Sequence, residues 1–72
     1  MMTEDTYHIA ALYERLRNEK ARLASAKTEQ EIALRTVWVE QIKNELRAEG
    51  DPLGLCEDID LSDDELIREL LA

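Results

Sequence analysis

Phenylalanine is absent from this chain of 72 residues, which holds only two glycines, one proline, one tryptophan, one histidine and one cysteine. Each scarcity excludes something. A lone Cys56 cannot close a disulfide within the chain, and with His8 as the only histidine it cannot complete a structural zinc site. The missing disulfide framework points to a reducing, cytoplasmic setting. Apolar runs extend only a few residues, so the sequence predicts no membrane span and no secretory leader. Bases are outnumbered, nine against seventeen acids, for a formal net charge of −8. Such a chain is not drawn to nucleic acid by general attraction to phosphate.

What is present favours helix: Ala, Leu, Glu and Arg dominate, all strong helix formers. The charge is segregated. Residues 1–27 hold four acids and five bases, and residues 28–49 hold five acids and three bases. Residues 50–72 hold eight acids and Arg68 alone. The chain therefore reads as a near-neutral helical body, 1–49, followed by an acidic end, 50–72, within one domain.

A first helix is predicted from near Glu4–Thr6 to about residue 26. Thr3 and Thr6 are candidate caps, and Ile9, Leu12, Leu16 and Leu23 form a heptad-like seam that Glu19 interrupts. Tyr13 widens this narrow stripe. A second helix is predicted over about Glu29–Glu49. Thr28 and Glu31 form a capping box at its start, and Gly50 and Pro52 stop its end. The apolar phase slips at that box, which favours an antiparallel hairpin over one continuous rod. The second helix has a broad apolar arc, Ile32, Leu34, Trp38, Val39, Ile42 and Leu46, with Val37 extending it. One hairpin partner cannot cover so wide an arc; either the C-terminal segment or another copy must. Arg35 lies within the arc, its stem able to lie over apolar neighbours.

From Gly50 to Leu61 the breakers Gly50, Pro52 and Gly54 spell a loop, with Leu53, Leu55 and Ile59 spaced as anchors. A short third helix, about 63–71, is announced by a second capping box, Ser62 and Glu65, and by a staple of Leu61 with Leu66. Its apolar face is Leu66, Ile67, Leu70 and Leu71. About ten residues are too few to stand alone in water, so it must dock.

No catalytic constellation is legible. Asp58, Asp60, Ser62 and Glu69 have calcium-loop spacing, but Asp63 stands where such a loop needs glycine. His8 lacks a partner at a telling spacing and reads as a surface histidine. Acids flank Cys56 and would raise its pKa, so it reads as a passive, part-buried thiol. Arg15, Arg17, Lys20 and Arg22 scatter around the first helix among Glu14 and Glu19, a solvated surface rather than a phosphate-tracking stripe. Trp38 is either core or a partner anchor. No cofactor and no metal are implied.

The stretch Leu12-Tyr13-Glu14-Arg15-Leu16-Arg17-Asn18-Glu19-Lys20 and the helix Thr28–Leu46 give the chain an overall look. It resembles the small acidic helical accessory proteins of lambda-like temperate bacteriophages. That resemblance implies a protein acting in the host cytoplasm by binding host or phage proteins and perturbing regulation. It carries over no functional residue.

The expectation is an all-α protein: a helical hairpin plus a short C-terminal helix, pairing as a homodimeric four-helix bundle. Leu34, Trp38, Val39, Ile42 and Leu46 are expected at the dimer seam. A non-enzymatic interaction module is the leading function. Asp58, Asp60, Asp63, Asp64, Leu66, Ile67, Leu70 and Leu71 would engage an unidentified protein with a basic or apolar groove. The third helix would equally close its own bundle. Two other functions stay open: a nucleic-acid mimic that occupies a DNA-binding protein's site, and a passive structural subunit.

Overall fold

A computed structural model of the chain describes residues 4–59 and 64–71, with side chains at 6–59 and 65–70. Three helices follow in order: α1 (Glu4–Ala24), α2 (Glu29–Ala48) and α3 (Asp64–Leu71), with no strand among the described residues. The second capping box and staple, which involve Leu61 and Ser62, lie outside the described residues. So do Asp60 and Asp63, and the side chains of Asp64 and Leu71.

The hairpin break falls where the apolar phase slips. At the end of α1 the Ser25 N–H donates to the carbonyls of Ala21 and Arg22, both at 3.2 Å, and Ala26 N–H donates to Leu23 at 3.1 Å. Thr28 is extended (φ −113°, ψ 151°), and its Oγ1 accepts the Glu31 N–H at 3.1 Å. This N-cap restarts the chain as a new helix rather than continuing the old one.

The C-terminus of α2 closes by local chemistry as well. Gly50 has φ 89°, its N–H donates to Arg47 O at 3.1 Å, and Asp51 N–H reaches back to Leu46 O at 2.9 Å. These two bonds, with Gly50 and Asp51 (φ 44°) both left-handed, make a Schellman motif, which satisfies carbonyls the helix end would otherwise orphan. A Cβ at Gly50 would meet nothing within 4 Å. Gly50→Ala should therefore cost only the left-handed strain, about 1–2 kcal/mol. A urea midpoint unchanged from wild type would show that the end of α2 relaxes instead.

All elements feed one core. Ala10, Leu12, Tyr13 and Leu16 come from α1, and Val39, Ile42 and Leu46 from α2. The loop adds Cys56 and Ile59, and α3 adds Ile67. Ile9, Leu23, Leu53, Leu55 and Leu70 pack against its edges. The anticipated loop anchors thus engage, and Ile59 is fully buried. The short α3 packs on α1 rather than on α2.

Two expectations need correction. Val39, Ile42 and Leu46, expected at a dimer seam, are 4%, 4% and 0% exposed within a single chain, because α1 and the loop already cover them. They are not available to a second copy in this packing. Likewise Ile67, expected to contact a partner, is buried at 3% exposure as the anchor that seats α3 on the body. The broad arc of α2 is thereby divided: one flank is core, and the other keeps Leu34 and Trp38 at 48% and 40% exposure.

Candidate functional site

The uncovered flank of α2 borders a groove between α1 and α2. The groove encloses about 460 Å³, and its walls include Arg15, Glu19 and Arg22 of α1 with Trp38, Gln41 and Glu45 of α2. Glu19, the polar residue that interrupts the seam of α1, is nearly buried. Its Oε1 and Oε2 accept from Arg35 Nη1 at 3.2 and 3.1 Å, and Oε1 also accepts from Arg22 at 3.2 Å. Its charge is therefore neutralised from both helices, which makes it tolerable so close to the core.

Arg35 in turn lies over the Trp38 ring, 5.1 Å from guanidinium carbon to ring centroid. One face of the indole is thus held by a cation while other parts remain accessible. The chain Glu19–Arg35–Trp38 holds the largest aromatic side chain in place, so any contact made through it would carry a lower ordering cost. Val37 and Ile32 are also exposed on α2, at 53% and 43%.

A second cluster ties the acidic loop to the hairpin. The Tyr13 hydroxyl donates to Asp51 Oδ1 and accepts the Leu53 N–H at 3.0 Å. Asp51 Oδ2 accepts the Cys56 N–H at 3.4 Å. Burial, reinforced by the Asp51 carboxylate, pushes the Tyr13 phenol far above its ordinary value. Glu57 accepts from Arg47 and, at 3.2 Å, from Lys43, while Lys20 donates to its backbone carbonyl at 3.2 Å. Hydrogen bonds from Arg47 and then Lys43 hold the Glu57 carboxyl below its usual range. The Cys56 thiol faces the Lys43 carbonyl at 3.4 Å, and burial pushes its pKa up. The thiol is buried, at 2% exposure, more deeply than its acidic neighbours suggested.

The charge pattern of the loop gave no warning of these clamps, because Asp51 and Glu57 look like the solvated acids around them. One signal was available. A tyrosine on an apolar stripe needs a hydrogen-bond partner once buried, though its spacing does not say which. Ala10 was also missed as core; its small side chain lets elements approach without adding an apolar signal.

Of the residues assigned to partner binding, Asp58 is exposed and Leu66 is 41% exposed. Leu70 is partly buried against the core, and Ile67 is fully committed to it. The outer side of α3 thus presents Leu66 beside the exposed carboxylates Glu65 and Glu69. Among the described residues no helix is long and apolar enough to cross a membrane. No protein-family model, no curated protein and no solved structure matches this chain.

Proposed function

We propose that the chain is a non-enzymatic protein–protein interaction module whose acidic end meets a basic surface on another protein. One observation carries this reading: α3 is anchored through Ile67 and Leu70 yet leaves Leu66 exposed beside Glu65 and Glu69, and the loop acid Asp58 is exposed as well. An apolar contact flanked on one side by carboxylates suits a shallow apolar site bordered by Lys or Arg. The charge of the last third would speed encounter over distances on the order of 10 Å. A role in regulation by binding also suits the resemblance to phage accessory proteins.

The test is affinity capture from a host lysate with the intact chain at low and high salt. Leu66→Ala should lose the captured protein without unfolding the domain, since Leu66 is not core. The triple variant Asp58→Asn, Glu65→Gln, Glu69→Gln should lose it at low salt and flatten the salt dependence. Retention of the same protein by both variants would sink the reading.

A further inference from the structure

We infer that the exposed flank of α2 is a self-pairing seam, on which a second copy of this chain docks with its own α2 antiparallel to the first. The seam runs Lys27, Glu31, Leu34, Trp38, Gln41 and Glu45, and all six side chains are exposed. From Glu31 the steps along α2 are three, four, three and four residues, the 3.5-residue average that keeps one stripe facing a neighbouring helix. Lys27 sits in the turn one residue before the Thr28 cap, and the other five lie on α2.

The order of these residues is self-complementary about the level of Thr36. An isologous two-fold contact requires that each residue meet a suitable one when the pattern is reversed. Reversal places Leu34 against Trp38 of the second copy, Glu31 against Gln41, and Glu45 at the turn that carries Lys27. The centre is then apolar and the two ends carry opposite charges. A parallel pairing would instead set Glu31 on Glu31, Glu45 on Glu45 and Lys27 on Lys27, repulsive at three levels. Neither Lys27 nor Glu45 has an ion-pair partner among the described residues, so both are free to form the intermolecular pair.

The placement of the acidic end makes self-pairing feasible despite the net charge of −8. Lys43 and Arg47 hold the loop through Glu57, and they lie roughly 160–200° around α2 from the seam. The third helix packs on α1. Two copies meeting along the seam therefore keep their loops on outer flanks. Trp38, held by Arg35, is the rigid apolar anchor such contacts use. A domain this small also gains more than most from the added burial.

Sedimentation equilibrium of the intact chain over a dilution series is expected to show a mass twice 8.3 kDa that falls toward 8.3 kDa on dilution. Leu34→Glu should hold the chain at the single-copy mass with its helix content unchanged. Lys27→Glu and Glu45→Lys should each weaken pairing, by roughly tenfold for two symmetric contacts. The double variant should restore pairing, because it merely exchanges the charges. A single-copy mass throughout, or a dimer indifferent to Leu34→Glu, would overturn the proposal. Failure of the double variant to recover would overturn the antiparallel register. A single-copy mass of the unaltered chain at every concentration, with capture of a foreign protein through Leu66 intact, would reject this seam alone and leave the proposed function standing.

Discussion

Replacing Leu16 with alanine is expected to destabilise the domain by about 3–5 kcal/mol. Leu16 is fully buried at the centre of α1, within the core that α2, the loop and α3 share. Truncation removes apolar burial and leaves a cavity that close-packed neighbours only partly fill. A domain of this size has a total stability of about 4–11 kcal/mol, so one substitution removes a large part of it. The paired control is Leu34→Ala, on the open flank of α2, which should change the stability of the single copy by less than about 0.5 kcal/mol. Urea denaturation followed by far-ultraviolet circular dichroism measures both, at concentrations low enough to exclude self-association. Equal losses at the two positions would mean that Leu34 is packed as fully as Leu16 and that this side of α2 is not open.

Tyr13→Phe should cost about 2 kcal/mol and loosen the loop before the hairpin. The ring would still fill its place, but Asp51 would lose its strongest donor and the Leu53 N–H would lose its acceptor. Hydrogen exchange should show the loop amides at Leu53 and Cys56 opening more readily, while those in the middle of α1 and α2 keep their relative protection. The pH dependence has a definite sign. The folded phenol has a raised pKa, so folding favours its protonated form. That contribution is complete below about pH 10, the unfolded value, and is lost as pH climbs toward the folded one. Wild type should thus weaken steeply in alkali, and Tyr13→Phe should flatten that limb. An identical alkaline profile in the two proteins would show that the hydroxyl is not held as described.

The caps were readable in the sequence because they are local. Thr28 sits three residues before the amide it accepts, and Gly50 lies at the one position where a left-handed residue ends α2. Short-range geometry of that kind depends on residue type and spacing alone. The large core residues of α1 were equally legible, since Leu12 and Leu16 repeat at helical spacing, whereas Ala10 carried no such signal. The loop anchors Leu53, Leu55 and Ile59 stood out as apolar residues among carboxylates.

The inner and outer flanks of α2 were another matter. Periodicity marks Leu34, Trp38, Val39, Ile42 and Leu46 as one apolar arc, and it says nothing about which part a neighbour will cover. The docking of the loop and α1 decided that, burying Val39, Ile42 and Leu46 and leaving Trp38 beside the groove. The same holds for Glu19, a defect in the seam until Arg35 arrives from a helix sixteen residues away. The amino-acid order alone determined where helices begin and end and which stripes are apolar, because hydrogen bonds to near neighbours and a 3.6-residue repeat are local properties. Only the tertiary structure decided that α3 packs on α1, that Tyr13 clamps the loop, and that half of α2's apolar arc stays bare. Those outcomes depend on which distant surfaces meet, and burial and ion pairing across elements are properties of that meeting.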